Sequence, residues 1–261
     1  LKKEKIKIVL RISGFPKLTF FRKKIWKISS QYIHKITCPS EDLKKQLILK
    51  NIFVRNSISF LPDPIIKVGE FTQDLKKKNK IFREKYFISV GRLTKQKNFS
   101  YLIDEFSEFA KINQSYNLYI FGEGEDKIKL QKKIIKNNFQ NRIFLKGYTN
   151  EINLYMKNAE AFILSSLWED PGFVLIEAAM NNLFIISSNC YNGPAEFLNN
   201  GEGGILFESN KKKALFESLK NFLNIRSQDE HFSKLKIAKK NCKKYTLINH
   251  YRLLTSNILI S

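Results

Sequence analysis

The chain has 261 residues, enough for one large domain or for about one and a half ordinary α/β domains. Its 46 lysines and arginines outnumber its 24 aspartates and glutamates, and the formal net charge of +22 is compatible with nucleic acid, anionic lipid or an acidic ligand. Most of the surplus is lysine in a chain rich in isoleucine, asparagine and phenylalanine, so a compositional bias of the source genome explains the charge equally well.

The expected compartment follows from the apolar runs and the cysteines. No run approaches the roughly 20 apolar residues that span a bilayer, and the start does not have the layout of a signal peptide. Cys38, Cys190 and Cys242 are odd in number, far apart and without metal-ligand spacing, which indicates reduced structural thiols. We therefore expect a cytoplasmic protein.

Residues 1–70 have the pattern of a partial α/β domain. The predicted elements are a strand at 6–10, a helix within 18–31, a strand at 35–38, a helix capped by Ser40 and a strand ending at 60–61. They amount to about half of a doubly wound domain. Pro62-Asp63-Pro64 then forces an extended turn, and the basic stretch 76–80 is typical of a linker, which puts the domain boundary near residues 66–80.

The segment 18–31 interleaves aromatic and basic residues near helical spacing. This pattern is typical of a helix that lies on anionic phospholipid, which would make the protein peripheral on the inner face of the plasma membrane. It is also typical of a solvated helix whose Phe21, Ile25 and Ile28 turn toward the core, and we slightly favour that interpretation.

Residues 71–230 alternate between apolar strands and single helices. The predicted strands are 86–90, 118–121, 143–145, 161–164, 183–186 and 204–207. The first helix, capped by Asn98 or Ser100, carries Leu102, Ile103, Phe106 and Phe109 on one face, and the second carries Leu130, Ile134 and Ile135. This alternation predicts a parallel sheet covered on both faces, which binds ligands beyond the carboxyl ends of its strands. We assign 231–261 to C-terminal helices that pack back toward the N-terminal domain.

A basic loop follows the first of these strands. Gly91 supplies flexibility, and Arg92 and Lys97 are two cations five residues apart that can face one anionic ligand near the start of a helix. In a lysine-rich chain, solvated surface cations are the ordinary alternative.

A pair of carboxylates follows the fourth strand. Glu169 falls in a loop, Pro171-Gly172 makes a turn, and Glu177 lies just over one turn into a helix that starts near Phe173. Carboxylates of this kind accept hydrogen bonds from sugar hydroxyls, and the first amides of a helix suit phosphate. The alternative is that Glu177 only complements the helix dipole.

Five landmarks stand in a fixed order along residues 89–196. They are Ser89-Val90-Gly91-Arg92-Leu93 with Lys97, Gly122-Glu123-Gly124, Phe144-Leu145-Lys146-Gly147-Tyr148, the Glu169 and Glu177 pair, and Asn192-Gly193-Pro194-Ala195-Glu196. In order and spacing they resemble the retaining glycosyltransferases of the GT-B fold, in glycosyltransferase family 4, also described as glycosyl transferases group 1. The resemblance covers residues 84–225 well and 6–66 loosely. It implies an α/β protein with a complete Rossmann-like C-terminal domain, at 71–230, and a partial Rossmann-like N-terminal domain, at 1–70.

The resemblance also implies roles for individual residues. Arg92 and Lys97, beside Gly91, would bind the donor diphosphate, Glu177 the ribose hydroxyls and Glu169 the hydroxyls of the transferred sugar. Backbone amides of Gly172, Phe173 and Val174 would meet the sugar or the distal phosphate, and Tyr148 and Thr149 would line the base. Glu169, Arg92 and Lys97 are the residues expected to act in catalysis, whereas the Asn192-Gly193-Pro194 loop is expected only to neighbour the site.

The implied reaction moves a hexose or N-acetylhexosamine from a nucleotide-diphosphate sugar, with UDP the expected nucleotide, to a glycan or lipid-linked acceptor. The anomeric configuration would be retained, with the departing diphosphate assisting deprotonation of the acceptor. No cofactor and no metal ion are expected, because the sequence has no Asp-x-Asp motif. Synthesis of a surface polysaccharide, lipopolysaccharide or glycolipid is the implied bacterial process.

The sequence also departs from the family pattern. A histidine of the N-terminal domain is often important in this fold, but the corresponding strand here runs into Arg11-Ile12-Ser13-Gly14, so Arg11 or Ser13 is the candidate for that place. We expect His34, His231 and His250 to be surface or packing residues. About 100 residues of a complete enzyme are expected to precede this chain, and the fragment alone is expected to be inactive.

Two other classes of function remain as alternatives. A GT-B nucleotide-sugar epimerase or phosphorylase would keep the fold and differ in chemistry. A basic nucleic-acid-binding protein is disfavoured, because most aromatic residues fall in predicted strand and helix cores rather than on an exposed stacking surface.

Overall fold

Short parallel strands alternate with helices along the chain. The computed structural model describes residues 7–54, 57–66 and 84–256. The described parts of Leu1–Phe71 and Lys243–Ser261 form one unit, and those of Thr72–Cys242 form the other. The expected linker at 76–80 lies outside the described residues.

The smaller unit contains three parallel strands in the order β1-β2-β3. Its elements are β1 (Val9–Arg11), α1 (Phe20–Ser29), β2 (Lys35–Cys38), α2 (Glu41–Leu49) and β3 (Ile58–Phe60). The hydroxyl of Ser40 accepts a hydrogen bond from the amide of Leu43 at 3.1 Å, so the predicted cap of α2 is confirmed. Leu43 and Leu47 lie on the buried face of α2 and belong to the same core cluster as Ile36 of the central strand.

The side chains through which α1 contacts the core are not the ones that the favoured interpretation predicts. Phe21, Ile25 and Ile28 are exposed instead of buried, and Trp26 alone of its large apolar side chains packs on the core, edge-on to Phe53 at 5.4 Å between ring centroids. The interpretation was wrong because the core meets the opposite side of this helix, where one large ring suffices for the contact.

The larger unit is built on six parallel strands in the order β6-β5-β4-β7-β8-β9. They are β4 (Lys85–Val90), β5 (Tyr116–Phe121), β6 (Ile143–Gly147), β7 (Phe162–Leu164), β8 (Ile185–Ser188) and β9 (Ile205–Phe207). All six predicted strands are therefore present. Their side chains are mostly buried, as in a parallel sheet with both faces covered.

Helices flank this sheet: α3 (Phe99–Ile112), α4 (Lys127–Lys136), α5 (Ile152–Asn158), α6 (Phe173–Met180), α7 (Pro194–Phe197), α8 (Ala214–Ile225) and α9 (Asp229–Asn241). The predicted apolar face of α3 is fully buried, and Phe106 and Phe109 both pack edge-on against Phe87 of β4. Ile135 of α4 is exposed, contrary to prediction, because it is one position and therefore about 100° away from the buried Ile134.

Of the two predicted caps of α3, Asn98 occupies the N-cap position but its side chain makes no capping hydrogen bond, and Ser100 lies inside the helix. Asn98 stands before the helix with a φ of 52°, and its side-chain amide binds Asn210 instead of the helix start. The residue contributes a left-handed turn, which asparagine tolerates better than most residues.

Helix α9 belongs to the larger unit, whereas the sequence assigns its residues from 231 onward to a separate C-terminal segment. Lys234, Lys239 and Asn241 donate to the backbone carbonyls of Gly201, Met180 and Phe197 at 2.6–2.7 Å. The polar side chains that suggested a separate segment are therefore the ones that hold the helix to the larger unit. Within α9, His231 stacks on Phe184 at 4.8 Å, which confirms a packing role.

The last described helix, α10 (Leu247–Leu254), lies in the smaller unit, where Nδ1 of His250 is 2.7 Å from the carbonyl of Pro62. Arg11 also serves that unit, since it binds the Leu61 carbonyl and Asp63. None of the described helices has the length and hydropathy to span a membrane.

Candidate functional site

Two loops meet at the carboxyl edge of the larger sheet. β4 and β7 are neighbours, yet the chain leaves β4 toward β5 and β6 on one side and leaves β7 toward β8 and β9 on the other. At such a change of direction an open parallel sheet has a crevice beyond its carboxyl edge. The loop 91–98 follows β4 and the loop 165–172 follows β7, so the two predicted motifs border this crevice.

Three hydrogen bonds tie these loops together. The amide of Leu167 donates to the Gln96 carbonyl at 2.8 Å, and the side chain of Gln96 donates to the Trp168 carbonyl at 2.9 Å. The hydroxyl of Ser165 donates to the Lys97 carbonyl at 2.8 Å. The backbone of Lys97 is therefore fixed relative to the loop that follows β7.

Lys97 and Glu169 form a buried ion pair across the loops. Nζ of Lys97 lies 2.5 Å from Oε1 of Glu169, and the side chains are only 13% and 4% exposed. The hydroxyl of Ser166 donates to the same oxygen at 2.5 Å. Charges removed from water in this way require partners. An ammonium has three donors, so Lys97 can bind a further oxygen while it keeps Glu169.

Arg92 is placed differently from Lys97. Its side chain is exposed at the same edge, and it makes no hydrogen bond or ion pair to another described residue. The stem of Lys97 passes over Gly91, because a Cβ at Gly91 would lie 3.1 Å from Lys97 Cε. The structure thus leaves one predicted cation available to a ligand and holds the other against a carboxylate.

A glycine turn supports the basic loop from the β5 side. Gly122 has a φ of 135°, and a Cβ there would lie 1.9 Å from the carbonyl oxygen of Gly91. Leu93 donates to the Glu123 carbonyl at 2.8 Å. Only glycine allows this close approach, which explains the Gly122-Glu123-Gly124 landmark.

Helix α6 starts at the crevice beside Glu169. It begins at Phe173, as predicted, after Gly172 in a left-handed conformation with a φ of 83°. The first amides of an α-helix lack acceptors within the helix and carry partial positive charge. Gly172, Phe173 and Val174 therefore present the kind of amides that the sequence predicted for an anion.

Glu177 lies on the second turn of α6. Its side chain is exposed, yet the surrounding protein removes enough water to raise the pKa of its carboxyl. It forms no direct bond to Lys97 or Glu169, which bind each other. Of the four side chains expected to surround one donor, the structure joins two directly and leaves Arg92 and Glu177 exposed near them in the fold.

The loop after β8 braces the turn that precedes α6. Nδ2 of Asn192 donates to Oδ1 of Asp170 at 3.2 Å, and a Cβ on Gly193 would lie 2.0 Å from the Pro171 carbonyl oxygen. Desolvation raises the pKa of Asp170 to about 6, the hydrogen bond from Asn192 lowers it, and the nearby Glu169 raises it. The Asn192-Gly193-Pro194 loop therefore lies against the turn between Glu169 and α6.

The predicted base loop follows β6. Tyr148 is exposed, whereas the hydroxyl of Thr149 accepts a hydrogen bond from the Glu151 amide at 3.1 Å. Oε1 of Glu123 lies 3.0 Å from the position of a Cβ at Gly147. The loop therefore offers the Tyr148 ring to a ligand, while Thr149 is used locally.

The sequence did not identify several residues of this site. Ser165, Ser166 and Gln96 fix the loops. The only signal for Ser165 and Ser166 is that they are polar residues directly after a buried strand, and Gln96 lies within the basic loop without a signal of its own. Cys190 is buried near Glu169, and desolvation raises the pKa of its thiol to about 12, which disfavours the thiolate. All three cysteines are buried and none of them forms a disulfide, as expected.

No group of three or more histidine, cysteine, aspartate or glutamate side chains that could hold a metal ion occurs in the described part of the chain. The expectation of metal-independent chemistry stays a prediction.

Comparison with known proteins identifies this arrangement. A model of the family described as glycosyl transferases group 1 matches residues 71–240. The chain is 40% identical over 119 residues to an uncharacterized glycosyltransferase, MJ1059, of Methanocaldococcus jannaschii, a match that covers 45% of this chain and 29% of the relative. It is 30% identical over 176 residues to N-acetylgalactosamine-N,N'-diacetylbacillosaminyl-diphospho-undecaprenol 4-alpha-N-acetylgalactosaminyltransferase of Campylobacter jejuni, covering 63% of this chain and 47% of the relative.

The fold has close counterparts among solved structures. The crystal structure of Anabaena Alr3699/HepE in complex with UDP superposes with a TM-score of 0.80 at 12% identity, covering 98% of this chain and 72% of that one. The present chain spans less than half the length of the two relatives matched by sequence. The architecture is that of the GT-B glycosyltransferases, and because the family model matches well over half of its length, the chain belongs to the glycosyl transferases group 1.

Proposed function

We propose that the protein transfers a sugar from a nucleotide-diphosphate sugar to a glycan or lipid-linked acceptor, with retention of anomeric configuration, as a member of glycosyltransferase family 4. The observation that carries the proposal is the buried Lys97–Glu169 pair beside the start of α6, at the strand-order switch of the larger sheet. The site supplies cations, helix amides and carboxylates within one crevice, and these are the groups that a charged sugar donor requires.

The donor diphosphate would bind between the basic loop and α6. Arg92 offers an unoccupied planar fork for phosphate oxygens, and Lys97 keeps donors that its bond to Glu169 does not use. The amides of Gly172, Phe173 and Val174 add the partial positive charge of a helix start. These groups would stabilise the negative charge that develops as the diphosphate departs.

The sugars would be held by the two glutamates. Glu169 keeps one oxygen on Lys97 and Ser166 and can accept transferred-sugar hydroxyls through the other. Glu177, exposed on α6, would accept the ribose hydroxyls, and Tyr148 would cover the base. In this mechanism the departing diphosphate itself takes up the acceptor proton, no protein nucleophile is needed, and no metal ion is required.

The names of relatives favour a class of substrate. The Campylobacter relative is named for transfer of N-acetylgalactosamine to a diphospho-undecaprenol-linked saccharide, and the Anabaena structure contains UDP. We accordingly propose a UDP-linked hexose or N-acetylhexosamine as donor, and synthesis of a surface polysaccharide, lipopolysaccharide or glycolipid as the process.

A membrane-bound acceptor would suit the surface of α1. Phe20, Phe21, Ile25 and Ile28 are 54–80% exposed on this helix, which also carries one arginine and three lysines and no acidic residue. Apolar side chains among cations match the interface of an anionic bilayer, where both contribute to binding. We propose that α1 contacts anionic lipid and keeps the protein on the inner face of the plasma membrane.

The donor assignment is tested by calorimetry on the 261-residue chain with UDP. Loss of one charged contact should weaken binding at least about tenfold in Arg92→Ala and in Glu177→Ala. Glu217→Ala, an exposed glutamate of α8, is the control and should bind UDP normally. Unchanged affinity in both site variants, or no UDP binding by the parent chain, would reject the proposed donor site.

A further inference from the structure

Two large aromatic side chains, Trp168 and Tyr191, stand side by side next to Glu169. They are partners in an isolated parallel bridge, and the amide of Glu169 donates to the Tyr191 carbonyl at 3.0 Å. Trp168 is 43% exposed and Tyr191 is 79% exposed. Neither ring stacks on another aromatic ring of the described residues. Large rings left in water beside a binding crevice indicate a contact surface.

The direction of these rings follows from strand geometry. Residues paired in a bridge share a face, and their successors along each strand point the other way. Burial agrees, because the successors Glu169 and Asn192 are 3% and 6% exposed. The rings therefore lie on the side of the backbone opposite the Lys97–Glu169 pair. A sugar on the rings would be a different one from the sugar held by Glu169.

Asp170 adds a polar group to this surface. Its side chain is exposed, and Asn192 holds Oδ1 at 3.2 Å, so the carboxyl has a defined position with acceptor capacity left over. A pyranose presents a flat face of C–H groups and an edge of hydroxyls. Flat rings beside an oriented carboxylate match both features, as in other sugar-sized sites where apolar walls carry a few placed polar groups.

We propose that Trp168, Tyr191 and Asp170 form a subsite for a pyranose ring of the acceptor glycan. The proposal rests on the proposed function, since an acceptor is needed only if the protein transfers sugar. It adds a binding site for the acceptor in the larger unit, separate from the residues that would bind the donor. The hydrogen bond between Glu169 and Tyr191 ties the two sites through the backbone.

Fluorescence can report on this subsite directly, because Trp168 is one of two tryptophans in the chain. In a Trp26→Phe background, Trp168 is the sole source of tryptophan emission. We would titrate that protein, saturated with UDP, with methyl glycosides of glucose, galactose, mannose, N-acetylglucosamine and N-acetylgalactosamine. At least one glycoside should shift the emission saturably, with a Kd on the order of millimolar as expected for one ring.

Variants separate stacking from the polar contact. Tyr191→Ala should abolish the emission shift. Asp170→Asn should weaken glycoside binding at least about threefold, a smaller effect than the loss of one full charged hydrogen bond. Tyr191→Ala should bind UDP with parental affinity, because Glu169 bonds only the backbone carbonyl of Tyr191. Tyr251→Ala removes an exposed tyrosine of the smaller unit and should change nothing. Circular dichroism melting of each variant checks that the fold is retained.

The possible results distinguish this subsite from the donor site. If UDP binds and none of the glycosides shifts the emission at about 100 mM, far above the expected Kd, the subsite is rejected and the proposed function stands. If UDP-glucose or UDP-N-acetylglucosamine, added without a glycoside, shifts the emission and then prevents the shift caused by glycosides, the rings bind the donor sugar. The acceptor assignment is then wrong. If UDP does not bind, the proposed donor site fails, and a glycoside shift would still establish the sugar subsite.

Discussion

The ammonium of Lys97 lies 2.5 Å from Oε1 of Glu169, and the two residues come from loops that follow neighbouring strands of the sheet. The contact joins a residue expected at the diphosphate to one expected at the transferred sugar. Both side chains are almost fully removed from water, and Ser166 supplies a further hydrogen bond to the carboxylate. Contacts within the protein therefore fix the positions of these two charges relative to each other.

Removing the cation should leave Glu169 buried without its ionic partner. Lys97→Met should therefore lower the free energy of unfolding by about 3 kcal/mol, as when one member of a buried pair is lost. Urea unfolding measures the change. The double variant Lys97→Met/Glu169→Gln should recover part of the loss, because its buried carboxamide is neutral. A loss under about 0.5 kcal/mol in Lys97→Met would mean that the pair does not hold the loops.

Gly193 and Gly201 form a matched pair for testing the brace behind α6. Both have a positive φ, 139° at Gly193 and 100° at Gly201. A Cβ at Gly193 would lie 2.0 Å from the Pro171 carbonyl oxygen, whereas a Cβ at Gly201 would meet no heavy atom of the described residues within 4 Å. Gly201→Ala should cost about 1–2 kcal/mol of stability, from backbone strain alone. Gly193→Ala should cost more and also weaken UDP binding, because the turn before α6 must shift. Equal effects of the two substitutions on stability and on UDP affinity would contradict this role of the loop.

The carboxyl of Asp170 should contribute a measurable pH dependence to stability. Although the side chain reaches solvent, desolvation raises its pKa to about 6. The folded chain then binds this proton more tightly than the unfolded chain, whose pKa is near 3.9. Its contribution to stability is therefore full below about pH 4 and is lost as the pH rises through about 6.

Asp170→Asn should remove that component. The difference in melting temperature between parent and variant should change between about pH 4 and pH 6 and become constant above it. Asp229→Asn, at the start of α9, is the control outside the crevice. A difference that is flat across this range would show that Asp170 does not titrate as its surroundings suggest.

Membrane contact by α1 predicts binding that depends on both lipid charge and apolar side chains. The 261-residue chain should float with phosphatidylcholine vesicles that contain phosphatidylglycerol and much less with phosphatidylcholine alone. Phe21→Ser/Ile25→Ser should reduce flotation severalfold without loss of stability, because both side chains are exposed. Ile128→Ser, an exposed isoleucine of α4, is the matched control. Equal flotation of parent and double variant would exclude α1 as the lipid contact.

Local patterns were sufficient for most of the fold. The buried strands of the larger unit could be predicted from continuous runs of apolar residues, and the buried face of α3 from apolar residues at helical spacing. Both patterns are visible in the sequence because buried positions are occupied mainly by apolar side chains. The cap at Ser40 was also readable, since it uses atoms only three residues apart. The cap at Asn98 was not, because its amide is bound to Asn210, a residue 112 positions away.

The site divides in the same way. The sequence by itself determined which residue types stand at the ends of β4 and β7 and that α6 begins at Phe173, since turns and helix starts depend on neighbours in the chain. It could not determine that Lys97 forms an ion pair with Glu169 while Arg92 remains exposed. It also could not determine that Ser166 and Gln96 hydrogen-bond to Glu169 and Trp168. The contacts of Lys97 and Gln96 join residues 72 positions apart, and the strand order brings their loops within hydrogen-bond distance. The tertiary structure also decided that α1 packs through Trp26 and leaves its phenylalanines in water, because a helical repeat shows spacing but not which side meets the core.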